Sequence, residues 1–219
     1  MKSRRGFRAV AVLTICTLFL SGCAEASQKY ASDTKDGVYF AVPNSWKLID
    51  PKALHAQESI STASGAAERL AQVHWQAAYT PDIKFKVSDV LDLIAPSRPL
   101  VYVRVRSLTA YEIQRVSYND LRNLIVPVTS WEDGSASSIP VFNVLTDEEE
   151  VQRGSRGIHT VFNFVNLGVS QTLDQTGLLS NDHRTLIMFV VRCTTKCYNK
   201  EKTAIKKVVA SFTSRGTNR

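Results

Sequence analysis

The sequence predicts an α/β protein, an α/β/α sandwich built on a mainly antiparallel sheet. Three observations carry that expectation. Leu100 to Arg106 alternates, with Val101, Val103 and Val105 on one face and Tyr102, Arg104 and Arg106 on the other, the period of a strand. Strand patterns then follow in quick succession at Val141 to Leu145, Ile158 to Leu167, Thr172 to Leu179 and Thr185 to Cys193. An amphipathic helix with Ile205, Val208, Val209 and Phe212 on one stripe closes the chain. Strands grouped between helical segments, in a chain of 219 residues, suit one layered core rather than two full-sized domains.

In chain order, Asp36-Gly37 is a turn, and Val38, Phe40 and Val42 alternate as a first strand that Pro43 ends. From Ser64 the spacing of Ala67, Leu70, Ala71, His74 and Ala78 predicts a helix stopped by Pro81. A short helix is expected from Tyr118 to Val126, closed by Pro127, and a loop over Asp133 to Ser138. The Thr185 to Cys193 strand is apolar on both faces, which marks a central strand covered on both sides.

The N-terminus reads as an address. Residues 1–22 have the form of a lipoprotein signal peptide: basic Lys2, Arg4, Arg5 and Arg8, an apolar run from Ala9 to Leu20, then small residues. Twelve residues are too few to cross a bilayer core, which needs about 20. Leu20-Ser21-Gly22-Cys23 resembles the lipobox of bacterial lipoproteins. That resemblance implies cleavage before Cys23, acylation of its thiol by palmitate-type chains, and a cell-membrane anchor on the extracytoplasmic face. Ser3-Arg4-Arg5-Gly6-Phe7-Arg8 also resembles the twin-arginine export consensus, while paired arginines are common in general secretory signals, so both export routes stay open. Residues 23–34 are expected to be the lipidated cysteine and a small, polar tether, with a single domain over 35–219.

Of four cysteines, Cys193 and Cys197 remain once the signal and Cys23 are set aside. In an oxidising compartment, four-residue spacing within one turn brings Cα atoms near 6 Å, inside the disulfide window. A disulfide is expected. Two thiols without nearby histidines are an incomplete metal set.

The opening Gly37-Val38-Tyr39-Phe40-Ala41-Val42-Pro43 followed by Trp46, and the close Val208-Val209-Ala210-Ser211-Phe212, resemble the Mog1/PsbP-like fold, which many actinobacterial lipoproteins share. The resemblance runs from about Asp36 to Thr213 and fits least well over Pro51 to Pro99. Its members include photosystem II accessory subunits, a Ran-binding nuclear import factor and envelope lipoproteins. Jointly they imply a non-catalytic binding or assembly role in the cell envelope.

Catalytic sets are hard to find. No G-x-S-x-G is present, and His55, His74, His159 and His183 are scattered without metal spacing. Asp182-His183 are neighbours that a strand would point to opposite faces. Asp147-Glu148-Glu149-Glu150 reads as a solvated turn between strands. No cofactor is expected.

The formal charge of +7 owes much to the signal, and without its four basic residues 23 basic side chains face 20 acidic ones. Nucleic acid is therefore not an expected partner. Lys196, Lys200, Lys202, Lys206 and Lys207 crowd the last helix against Glu201, a candidate surface for anionic headgroups, wall polymer or an envelope protein. The Tyr102-Arg104-Arg106 face is a second candidate surface, with a covering helix as the alternative. Two other functions stay open: an envelope hydrolase acting on wall or lipid substrate, which needs the fold to bring a histidine beside an acid, and a small-ligand or ion carrier.

Overall fold

The computed structural model describes residues 27–216. The expected signal segment, residues 1–22, and Cys23 lie outside them. The chain begins with β1 (Gln28–Asp33), β2 (Val38–Pro43) and β3 (Lys47–Ile49), then α1 (Pro51–Ser59), α2 (Ala66–Ala71) and β4 (Val73–Thr80). Next come α3 (Ser88–Leu91), β5 (Leu100–Ser107), α4 (Ala110–Arg115), α5 (Tyr118–Arg122) and α6 (Val128–Glu132). Four long strands follow, β6 (Phe142–Gln152), β7 (Ser155–Asn166), β8 (Val169–Ser180) and β9 (Thr185–Thr194), before α7 (Thr195–Lys200), α8 (Lys202–Ser211) and β10 (Thr213–Ser214).

The main sheet has seven strands in the order β3-β4-β5-β9-β8-β7-β6, with every neighbouring pair antiparallel. A smaller sheet, β1-β2-β10, is also antiparallel. As its two-faced apolar pattern predicts, β9 is central, paired with β5 on one side and β8 on the other. Its odd residues Ile187, Phe189 and Val191 enter one core with Val101, Val103 and Val105, Phe40 from β2, and Ile205 and Val208 from α8. Phe212 stacks on Phe189 with ring centroids 4.3 Å apart, and Phe40 meets Phe189 edge-on at 5.4 Å, the offset and tilted arrangements that aromatic quadrupoles favour. Met188 and Val190 point the other way, into a core roofed by Leu54 of α1, Val90 of α3, and Val128 and Trp131 of α6. Helices therefore cover both faces, and the small sheet shares one outer layer with α8.

Four elements differ from the sequence expectation. The segment read as a tether contains β1, which pairs with β2 over its whole length, and Ala31 is buried there. The domain therefore begins before residue 35. An edge strand held by backbone hydrogen bonds needs little apolar patterning of its own, so composition concealed it. The helix expected from Ser64 to Pro81 stops at Ala71, and Val73–Thr80 is β4. Its alanines and glutamine favour helix, but Val73, Trp75, Tyr79 and Thr80 suit a strand, and pairing with β3 on one side and β5 on the other overrides the helical preference. The acidic run is not a turn: Asp147 to Glu150 sit inside β6, whose last-paired partner is β7. Charges there suit an edge strand, where they discourage pairing with a further strand. The helix expected to reach Val126 ends at Arg122.

Candidate functional site

Of the two surfaces expected from sequence, the strand face is largely occupied by the protein itself. Tyr102 is 4% exposed, so it belongs to the core rather than to a binding surface. Its hydroxyl donates to Gln76 Oε1 at 2.8 Å, and burial pushes the phenol up to about 12. Arg104 forms an ion pair with Glu58 of α1. The Arg106 guanidinium donates to both Glu112 oxygens, at 2.7 and 2.9 Å. That fork, joined by the Thr109 backbone N–H, holds the Glu112 carboxyl down at about 2. Glu112 is also the N3 partner of the Thr109 capping box, so one carboxylate starts α4 and anchors the strand. What remains open is a cleft of about 280 Å³ between Glu58, Arg69, Arg104, Arg106, Leu124 and Met188.

The closing-helix surface is open. Lys200, Lys202, Lys206 and Lys207 are all exposed, while Ile205 and Val208 of the same segment are fully buried. Lys200 and Lys207 line a groove of about 350 Å³ with Ser27, Gln28 and Pro43. The first described residue therefore lies beside the basic helix. The expected bridge between Cys193 and Cys197 is present, with Cα atoms 5.9 Å apart, and ties the end of β9 to α7. Between them, Thr194 caps α7 by accepting from the Cys197 N–H at 3.2 Å.

Two histidines lie beside acids, which sequence reading missed. His159 on β7 is held between Asp174 Oδ1 at 2.8 Å and Glu148 Oε1 at 3.2 Å. Asp174, only 5% exposed, also accepts from the Tyr198 hydroxyl at 2.5 Å. The hydrogen bond to Asp174, with Glu148 adding to it, raises the imidazole to about 9 despite partial burial, so His159 carries a proton at neutral pH. Burial and the Asp174 charge together push the Tyr198 phenol well above its usual range.

His74 occupies an irregular position on β4, where register with β5 shifts between Val73 and Trp75. Such bulges re-aim side chains. Its Nδ1 lies 3.1 Å from Asp36 Oδ2, and its Nε2 lies 2.7 Å from Ser107 Oγ. Asp36 comes from the β1–β2 turn and Ser107 from the end of β5, so three distant segments meet. No local sequence signal joins residues 38 and 33 positions apart. His55 is exposed on α1, and His183 sits with φ 57° in the β8–β9 turn. Among the described residues, no group of three or more His, Cys, Asp or Glu is arranged to hold a metal ion, and no helix is long and apolar enough to cross a membrane.

No family model matches the chain, and no curated protein matches it. Solved structures to which it is similar include cyanobacterial PsbP (CyanoP) from Synechocystis, at 18% identity and TM-score 0.47, covering 88% of this chain and 95% of that one. LpqN of Mycobacterium tuberculosis, described as involved in cell envelope biogenesis, is 10% identical with TM-score 0.46, covering 85% and 90%. The Ran-binding protein Mog1p of Saccharomyces cerevisiae is 10% identical with TM-score 0.44, covering 86% and 96%.

Proposed function

We propose that the chain is a lipoprotein, anchored through Cys23 on the extracytoplasmic face of the cell membrane, whose domain binds at the envelope through its basic closing helix. The observation that supports this reading is the position of Ser27. It lies four positions after Cys23, a span of at most about 14 Å. Ser27 opens directly onto the groove that holds Lys200 and Lys207. An acylated Cys23 would thus bring the basic edge of the domain to the headgroup layer, where each lysine near an anionic surface contributes about 1 kcal/mol. A buried disulfide fits an oxidising, extracytoplasmic compartment. The anchor and the lysines act together: one acylated cysteine supplies the chains that stable attachment needs, and the lysines set how the domain lies.

The test is made in a bacterial host that processes lipoproteins. Protein purified from membranes should begin at Cys23 and carry the mass of attached acyl chains, and Cys23→Ala should leave the detergent phase. A wild-type chain without lipid, or a Cys23→Ala chain that partitions as before, would overturn the proposal.

A further inference from the structure

We propose that Ser107, His74 and Asp36 form a nucleophile–base–acid relay that hydrolyses activated acyl esters. The inference goes beyond envelope anchoring and does not depend on it. Asp36 is 2% exposed and, as a carboxylate, can only accept hydrogen bonds. Facing it, His74 Nδ1 must carry the proton and donate at 3.1 Å. In the neutral imidazole this places Nε2 as the acceptor that faces the Ser107 hydroxyl at 2.7 Å. The His74 side chain is 20% exposed, and Ser107 is half-buried, so the pair can be reached from solvent while the acid cannot.

Behind Asp36 stands Asp33. Asp33 Oδ2 and Asp36 Oδ1 are both buried without a partner when both groups are ionised. Burial first, then hydrogen bonding and repulsion from Asp36, push Asp33 upward. The two orphaned oxygens belong to one pair of neighbouring acids, of which Asp36 Oδ2 is the oxygen turned to His74. Asp36 and Asp33 are positioning residues. Ser107 and His74 touch the reacting atoms.

In the first step Ser107 Oγ attacks the ester carbonyl carbon and its proton passes to His74 Nε2. The carbon–alkoxy bond breaks and the alcohol departs with that proton, leaving the acyl group on Ser107. Water then attacks the acyl carbon and gives a proton to Nε2. The Oγ–carbon bond breaks, Oγ regains the proton, and the acid is released. The backbone restricts the substrate. The Ser107 N–H donates to the Gln72 carbonyl and the Leu108 N–H to the Arg184 carbonyl, so neither is free to stabilise an oxyanion. Losing such a donor typically costs 10²–10³ in rate. Esters with good leaving groups are the class this relay can turn over.

The full chain in detergent should be treated with a fluorophosphonate and, separately, with p-nitrophenyl acetate. We expect the fluorophosphonate adduct on Ser107 by peptide mass spectrometry, none on Ser107→Ala, and at least tenfold slower labelling of His74→Gln. Asp36→Asn should slow both labelling and ester turnover, with thermal midpoints checked for every variant. An unlabelled Ser107 in folded wild-type protein, or labelling unchanged in folded His74→Gln, would overturn the relay and leave the three residues as a structural hydrogen-bond network.

Discussion

Arg192 and His159 show how single residues are settled by what surrounds them. Arg192 on β9 is 4% exposed, and among the described residues no carboxylate forms an ion pair with it, although Asp92 and Asp89 lie near enough for their charges to act on it. Instead its guanidinium donates to the backbone carbonyls of Asp89, Val90 and Ile94, at 2.7 to 3.2 Å. Burial brings it down to about 10, a cost that those carbonyls offset. In this way β9 caps the end of α3, whose four residues could not hold themselves together. His159 behaves in the opposite sense, because Asp174 raises it to about 9 from an unfolded value near 6.5. A raised folded-state value means that the protonated form is stabilised by folding. Its contribution is complete below about pH 6.5 and is lost as pH rises through about 9. Urea midpoints measured from pH 6 to 10 should therefore fall across that interval in the wild type. His159→Gln, which keeps hydrogen-bonding capacity without the charge, should flatten the fall. Parallel pH profiles for the two proteins would refute the role of the Asp174–His159 pair.

At the scale of elements, what was legible depended on whether a pattern answered to one face or two. Helix α8 buries one stripe, and β5 sets Val101, Val103 and Val105 against Tyr102, Arg104 and Arg106, so helical spacing and alternation marked them directly even though Leu100 and Tyr102 are buried on the second face. Strand β9, buried on both faces, was equally clear from its unbroken apolar run. Strand β4 was not, because Val73–Thr80 mixes His74, Gln76, alanines and aromatics, and only the neighbouring strands decide its conformation. The same limit hid the Ser107–His74–Asp36 relay, since His74 was placed on a helix and its partners lie on the far side of long connections. Close packing between elements was also invisible. A Cβ at Gly177 on β8 would come within 3.1 Å of the Leu121 backbone oxygen and 2.8 Å of Leu124 Cδ1. The glycine lets α5 seat on the sheet, where Gln175 donates to the carbonyls of Leu121 and Arg122. Gly177→Ala should overpack this seat and cost about 1–3 kcal/mol, measured by chemical denaturation. An unchanged midpoint would mean that α5 can shift freely.

Across the whole molecule, β2 separates two ends with different chemistry. Pro43 pairs with Gln28 beside the basic groove, while Val38 pairs with Asp33 next to the turn that carries Asp36. The five steps between them span roughly 17 Å, more than the Debye length of about 10 Å at 0.1 M salt. Lys200 and Lys207, which line the groove at the Pro43 end, therefore exert little influence on the relay. If the domain lies on the membrane through α8, the Asp36 end points to the aqueous side. Hydrogen exchange on the lipidated protein reconstituted into vesicles checks this directly. Vesicles rich in phosphatidylglycerol should protect the amides of residues 27–30 and 200–211 relative to phosphatidylcholine vesicles, while the Asn181–Arg184 turn exchanges equally in both. Lys200, Lys202, Lys206 and Lys207→Glu should abolish the added protection without detaching the protein, since the acyl chains still hold it. At 0.5 M salt the wild type should resemble that variant, because exposed charges are then screened over shorter distances. Protection that is equal on both lipids, or that falls on the β6 edge instead of α8, would reject this orientation.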